Sequence, residues 1–91
     1  MTKEMEKTKP GYHITHIQKG VLGEVSKIRE EVEELIDAEA QGARVMAIIE
    51  LSDLLGAVEA YLEKQKLGVT MDDLMKMAHI TKRAFKNGHR S

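Results

Sequence analysis

Hydrophobic residues recur at intervals of three and four through most of the chain, a spacing that predicts amphipathic helices. The first predicted helix runs from about residue 21 to residue 41, where Gly42 breaks it. The second runs from about residue 43 to residue 65, and Gly68 ends the connection that follows it. The spacing therefore predicts two consecutive amphipathic helices in the middle of the chain.

A third helix is predicted from Thr70 to about residue 86. Thr70 is a suitable N-cap, and Asp72 and Asp73 fall in the first turn, where acids interact favourably with the helix dipole. The apolar stripes of the three helices are formed by Val21, Val25, Ile28, Val32, Leu35 and Ile36; by Ala47, Leu51, Leu54, Leu55, Val58 and Leu62; and by Leu74, Met77, Ala78, Thr81 and Phe85. These stripes predict an all-α fold.

The N-terminal region lacks this periodicity. Residues 1–11 are rich in Lys and Glu and end in Pro10-Gly11, which is typical of a flexible tail. Residues 12–17 have apolar positions at 12, 14 and 17 and are compatible with a short strand, an extended arm or an irregular lead-in. We therefore divide the chain into a flexible tail over residues 1–11 and a single all-α domain over residues 12–91.

The size of the chain favours a homo-oligomer. A domain of 91 residues is near the lower limit for a self-sufficient core, and one Phe, two Tyr and no Trp leave that core to aliphatic residues. We expect a homodimer or homotetramer in which the two long helices of each of two subunits form a four-helix core, with the third helix laid against it.

Charge and composition exclude several classes of protein. No long basic stripe with interleaved aromatic residues is present, so we expect no nucleic-acid partner. No apolar run approaches the length of a membrane span or a secretion signal, so we expect no membrane partner. The absence of Cys excludes a disulfide framework and is compatible with a cytoplasmic location.

The acids are concentrated in one part of the chain. Residues 24–39 carry seven acids against Lys27 and Arg29, whereas no acid follows Asp73. An acidic metal site facing a basic phosphate contact would have this distribution.

Two pairs of acids take matching positions on the first two helices. On a helical wheel, Glu31 and Glu50 each lie about 90° from the apolar stripe of their helix, with Glu34 and Asp53 about 60° beyond them. Two packed helices can direct these four carboxylates into one cleft, where the charge requires compensating cations. Mg²⁺ prefers such oxygen ligands. The alternative is that the acids are simply solvated.

These motifs resemble those of a known family. The string KIREEVEELIDA at residues 27–38, followed by ELSDLL at residues 50–55, is similar to the signature of MazG-type nucleotide pyrophosphohydrolases, all-α enzymes with a Glu-x-x-Glu motif, a spacer and a Glu-x-x-Asp motif. Fifteen residues separate Glu34 from Glu50 here. Small members of this type occur in bacteriophages, which would place the protein in the host cytoplasm.

The resemblance implies an activity and a set of site residues. The activity is Mg²⁺-dependent hydrolysis of a (d)NTP to a (d)NMP and pyrophosphate, with Mn²⁺ as a possible substitute. The implied metal ligands are Glu31, Glu34, Glu50 and Asp53. Glu30 is implied as an auxiliary ligand or base and is grouped with Glu31 as catalytic. The implied triphosphate contacts are Lys86, Asn87 and Arg90.

Other polar residues have two readings each. Lys27 either reaches a phosphate or is an i,i+4 partner of Glu31. Lys82 and Arg83, like Lys86, either grip phosphates or stabilise the end of a helix. His13 and His16 have no Cys or third His with which to form a zinc site, so we expect a surface or substrate-proximal role.

Two alternatives to the main hypothesis stay open. Phosphoribosyl-ATP pyrophosphohydrolases share the carboxylate pattern. A non-catalytic helical dimerisation module would carry the same acids on solvated faces. No nucleophilic triad and no glycine-rich phosphate loop is present in the sequence.

Overall fold

A computed structural model describes the backbone of residues 13–86 and the side chains of residues 13–83. It contains the helices α1 (Val25–Ala40), α2 (Arg44–Gln65) and α3 (Met71–Lys86), with no strand in this part of the chain. The all-α prediction is confirmed. The tail predicted over residues 1–11 lies outside the described residues. Every helix in the described part of the chain is too short or too polar to cross a bilayer.

α1 begins later than the periodicity predicts, at Val25 rather than Val21. Residues 21–24 form a turn closed by a 2.9 Å hydrogen bond from Glu24 N to Val21 O. Gly23 has a φ of +94° in this turn, and a Cβ there would lie 2.6 Å from Cδ of Lys64 on α2. The turn thus places the start of α1 against the end of α2.

A short connection folds α1 back onto α2. Gln41 N donates to Asp37 O at 3.1 Å, and Gly42 N donates to Glu39 O at 3.0 Å. Gly42 has a φ of +69°, which a glycine adopts without strain. The two helices pack against each other and form a helical hairpin.

α3 has a well-defined beginning but stands apart from the hairpin. Asp73 N donates to Thr70 Oγ1 and Thr70 N donates to Asp73 Oδ2, both at 3.0 Å, so the predicted N-cap at Thr70 is confirmed as a reciprocal capping box. Within the described part of one protomer, α3 does not pack extensively against α1 or α2. The expectation that it lies against the core is therefore not met within a single chain.

A single protomer buries few hydrophobic side chains. Among the described residues, the buried hydrophobic residues are Ala38, Ala57 and Leu62. Many large aliphatic side chains on α1 and α2 are exposed: Val25, Val32, Ile36, Leu51 and Leu55 from the predicted stripes, and Val45, Ile48 and Ile49 outside them. Exposed apolar faces of this extent are typical of a protein–protein contact, and in a symmetric dimer the same face of a second copy would cover them.

We therefore predict self-association through the hairpin. Light scattering should report a multiple of the 10.2 kDa chain mass. Leu55→Glu should lower that mass, because it would bury a charge in the contact between subunits. Leu67→Glu is a matched control, since Leu55 and Leu67 are both 53% exposed but Leu67 lies in the connection after α2. A wild-type protein that stays at 10.2 kDa at micromolar concentration would contradict the prediction.

Candidate metal centre

The buried side of the hairpin is acidic. Residues spaced by three and four project from the same side of a helix, and α1 carries acids in this pattern. Together with those of α2 they form a row between the two helices: Glu30, Glu31, Glu34 and Asp37 from α1, and Glu50 and Asp53 from α2. Glu50 is fully buried, and Glu31 is only 4% exposed.

The helices bring the two predicted carboxylate pairs together. Oxygens of Glu31, Glu50 and Asp53 lie within 4.8 Å of one another, as do oxygens of Glu30, Glu31 and Glu34. On a helical wheel, all four predicted ligands lie at the margins of the apolar stripes. In the structure, Glu31 and Glu50 are buried between the helices. Asp53 is exposed, so the cluster reaches solvent at that residue.

Within the described part of the chain, some carboxylate oxygens of this cluster lack a hydrogen-bond donor. Glu31 Oε1 and Glu50 Oε1 are buried and have no hydrogen-bond partner among the described residues. Buried polar atoms are almost always paired, and an unpaired buried carboxylate is especially unfavourable. A bound cation would satisfy these oxygens, and an all-carboxylate set suits a hard divalent cation such as Mg²⁺.

Burial and mutual repulsion make two acids of the cluster, Glu31 and Glu34, harder to ionise. Burial raises the pKa of Glu34 to about 7, and the adjacent Glu50 and Glu30 carboxylates add to the effect. Burial also raises the pKa of Glu31, as do Glu34 and Asp53, although Lys27 opposes them. Without a cation, the cluster reduces its charge by holding a proton.

Lys27 and Glu30 form a charged border to the cluster. Lys27 Nζ lies 3.1 Å from Glu30 Oε1 and 3.2 Å from Glu31 Oε2. Burial lowers the pKa of Lys27, but these two acids outweigh it and the net change is upward. Of the two readings of Lys27, the ion pair with Glu31 is present in the structure, and phosphate contact stays a prediction.

Glu30 anchors the segment that precedes α1. Its Oε1 accepts a 2.8 Å hydrogen bond from Gly20 N, and its Oε2 lies 3.5 Å from Lys19 Nζ. Burial disfavours ionisation of Glu30, but the Gly20 amide and Lys27 outweigh it and lower the pKa. Glu30 therefore has a structural role in addition to the catalytic one implied by the resemblance, which stays a prediction.

Asp37, to which the sequence analysis assigned no role, anchors the same segment further along α1. It accepts hydrogen bonds from Thr15 N at 2.8 Å, Thr15 Oγ1 at 2.6 Å, Gln41 Nε2 at 2.6 Å and Ile14 N at 3.0 Å. Burial opposes ionisation, but these donors hold the pKa of Asp37 well below its usual range. The sequence signal was its position three residues after Glu34, which extends the acidic side of α1.

This anchoring brings His13 to the metal cluster. His13 Nε2 lies 3.3 Å from Glu50 Oε2 and 3.7 Å from Glu34 Oε1, and its side chain is only 12% exposed. A surface role for His13 is therefore wrong, and a substrate-proximal role stays open. His16 is exposed, as a surface residue would be.

Two of the predicted phosphate contacts, Lys82 and Arg83 on α3, are not part of this cluster. Lys82 and Arg83 are exposed and form no ion pair with the carboxylates in the described part of the chain. The side chain of Lys86, and Asn87 and Arg90, lie outside the described residues. Their predicted contacts with the triphosphate stay predictions.

The all-α hairpin and its paired carboxylates are those expected of a helical pyrophosphohydrolase, and comparison with known families supports this class. A family model described as phosphoribosyl-ATP pyrophosphohydrolase matches residues 1–82, and the chain belongs to this family. The family is part of the MazG-like superfamily of all-α NTP pyrophosphatases, so the resemblance is confirmed at that level, although not for the MazG type itself.

Membership defines the general chemistry. The family consists of pyrophosphohydrolases, which hydrolyse phosphoric anhydrides, and it is typically dependent on a divalent metal. Searches of curated proteins and of solved structures returned no significant match.

The raised pKa of Glu34 predicts a pH-dependent stability. Because the folded-state pKa is about 7, against an ordinary value of 4.5, the Glu34 contribution is fully favourable below pH 4.5 and is lost as pH rises through 7. In metal-free buffer, Glu34→Gln should melt above the wild type at about pH 8 and close to it at about pH 5. Glu39→Gln, at an exposed acid of α1, is the control. Equal melting temperatures for Glu34→Gln and wild type at both pH values would contradict the assignment.

Asp37 should stabilise the segment that holds His13. Asp37→Asn should cost about 1.5–3 kcal/mol, the usual loss for hydrogen bonds to a charged group. Because its pKa is lowered, the contribution of Asp37 is present above its unfolded value of 3.8 and is lost as pH falls below it.

Urea unfolding and amide exchange at Ile14 and Thr15 would measure the loss for Asp37→Asn. The exposed Asp72, whose ion pair is with Lys76, provides the control Asp72→Asn. Unchanged exchange at Ile14 and Thr15 in Asp37→Asn would show that Asp37 does not hold the segment.

Proposed function

We propose that the protein is a Mg²⁺-dependent nucleoside triphosphate pyrophosphohydrolase, converting a (d)NTP and water into a (d)NMP and pyrophosphate. The observation that carries this proposal is the pair of buried, donor-free oxygens on Glu31 and Glu50, in a cluster with Glu34 and Asp53. Family membership supports the reaction class, since it assigns hydrolysis of a phosphoric anhydride.

Each carboxylate has a distinct place in this proposal. Glu31, Glu34, Glu50 and Asp53 would hold the ion, with Glu50 at the buried end and Asp53 at the exposed end. When bound, Mg²⁺ lowers the pKa of water and neutralises charge on phosphate oxygens. Substrate phosphates would therefore enter from the side of Asp53.

Lys27 and Glu30 are suited to support the reaction from the border of the cluster. Once the charge of Glu31 is neutralised, Lys27 has an ammonium group available to pair with a phosphate oxygen. Glu30 stays ionised because of the Gly20 amide and Lys27, so it can serve as an auxiliary ligand or accept a proton from water.

The proposed bond changes follow from the products. A water oxygen forms a bond to the α-phosphorus, the bond from that phosphorus to the bridging oxygen of the β-phosphate breaks, and pyrophosphate leaves with the bonding electrons. The attacking water gives up its protons to solvent or to a nearby carboxylate. Negative charge therefore accumulates on the leaving pyrophosphate, where cationic side chains contribute most.

We propose that a homodimer or homotetramer provides the complete site. The exposed stripes of the hairpin favour a second copy as the occupant, and α3 makes no extensive contact with its own hairpin. Lys82, Arg83 and Lys86 of one subunit could then contact phosphates held by another. In MazG-type enzymes, whose signature the sequence resembles, such activity would serve to remove non-standard nucleotides or to adjust a dNTP pool.

Phosphoribosyl-ATP is a second candidate substrate, favoured by the description of the matching family. It carries a 5′-triphosphate, so the same bond would break and the same residues would act. The two candidates differ only in how the part beyond the triphosphate is recognised.

A pyrophosphate-release assay should test the proposal directly. Canonical and modified NTPs, dNTPs and phosphoribosyl-ATP would be compared with Mg²⁺, with Mn²⁺ and with a chelator. Glu50→Gln should reduce kcat/KM by roughly 100-fold, because losing even an outer-shell partner of a metal ligand costs 10- to 100-fold. Glu59→Gln, at an exposed residue of the same helix, should leave kcat/KM unchanged.

The outcomes separate the hypotheses. A clear preference among the substrates would decide between a (d)NTP and phosphoribosyl-ATP. Activity that survives both the chelator and Glu50→Gln would contradict the metal site. An inactive protein that binds Mg²⁺ weakly and without a preferred stoichiometry would favour the non-catalytic dimerisation module.

A further inference from the structure

A histidine nitrogen faces two carboxylates of the metal cluster. His13 Nε2, Glu34 Oε1 and Glu50 Oε2 form a group whose atoms lie within 4.8 Å of one another. The three side chains come from different parts of the fold: the segment before α1, α1 itself and α2. All three are largely withdrawn from solvent, with side-chain exposures of 12%, 14% and 1%.

Asp37 determines how the His13 ring is presented. His13 Nδ1 lies 3.3 Å from Asp37 Oδ1, and Asp37 also accepts hydrogen bonds from Ile14, Thr15 and Gln41. A carboxylate that accepts from these donors is placed to accept from Nδ1–H as well. In the neutral ring this leaves the lone pair on Nε2, directed toward Glu34 and Glu50.

Three electron-rich atoms then face one another. Both carboxylate oxygens of Glu50 are buried without a hydrogen bond in the described part of the chain. This group is stabilised only by positive charge among the three atoms, which either a proton on Nε2 or a bound metal ion would supply. An aspartate that orients the far nitrogen of a ligating histidine is a common arrangement around metal ions.

We propose that His13, Glu34 and Glu50 form a mixed nitrogen and oxygen site for a borderline divalent transition-metal ion, such as Zn²⁺ or Co²⁺, with Asp37 as the residue that positions His13. Imidazole favours such ions, whereas Mg²⁺ favours oxygen ligands. This inference rests on the proposed function in so far as it shares Glu34 and Glu50, but it adds a ligand and a class of metal.

The sequence does not predict a zinc site at His13, because no Cys or third His accompanies His13 and His16. The structure supplies the missing partners as carboxylates from two helices. Zinc sites with both histidine and carboxylate ligands are well established in proteins.

The test uses Co²⁺ as the probe on the metal-free full chain. Proton NMR of the Co²⁺-loaded wild type should show a strongly shifted, exchangeable imidazole N–H, because a ring bound through Nε2 keeps its hydrogen on Nδ1. The signal should persist in His16→Gln, which alters an exposed histidine of the same segment, and disappear in His13→Gln. Calorimetry should show Co²⁺ affinity falling about tenfold or more in His13→Gln, with Mg²⁺ affinity essentially unchanged.

The wild-type spectrum alone is decisive, so the test does not depend on the folding of a variant. Absence of a shifted imidazole N–H in the wild type, or its persistence in His13→Gln, would overturn the inference. If Mg²⁺-dependent pyrophosphate release continues in that case, the proposed function stands and only the histidine ligand is lost. If the wild type binds neither Co²⁺ nor Mg²⁺, the inference and the proposed function both fail.

Discussion

Buried negative charge on one side of α1 is the constraint on which the rest of this structure depends. Glu30 and Asp37 are seven residues apart, so they lie two turns, or about 10 Å, from each other along the helix. The backbone amide of Gly20 donates a hydrogen bond to Glu30, and those of Ile14 and Thr15 donate to Asp37. The segment before α1 is thereby held along the helix in the opposite direction.

Glu31 and Glu34, which lie between these two anchors, have pKa values shifted in the opposite direction. Glu30 and Asp37 have lowered pKa values because amides and other donors reach them, whereas Glu31 and Glu34 have raised pKa values because burial and neighbouring carboxylates dominate. Access to donors therefore divides one acidic helix face into structural anchors and a cluster that lacks positive charge. That deficit would be met by a bound metal ion, which in the proposed reaction would also neutralise charge on phosphate oxygens.

Within one protomer, the hydrophobic side of the hairpin has too small a core, just as its acidic side has too little positive charge. Ala38, Ala57 and Leu62 are a small core for two helices of 16 and 22 residues. A contact between subunits would bury the aliphatic stripes and exclude water from the flank of the carboxylate cluster. Lower solvent exposure strengthens both apolar packing and charge interactions. The same contact between subunits would therefore favour both the stability of the fold and the chemistry of the carboxylate cluster.

The sequence by itself determined the helices and the two carboxylate pairs, because three-and-four periodicity, Gly42 and the cap at Thr70 are local signals. It also placed Glu31, Glu34, Glu50 and Asp53 on corresponding sides of their helices. Only the tertiary structure decided that Asp37 is an anchor and that His13 reaches Glu50, 37 residues away in the chain. Such contacts depend on how the N-terminal segment and the hairpin fold together, which no local periodicity encodes.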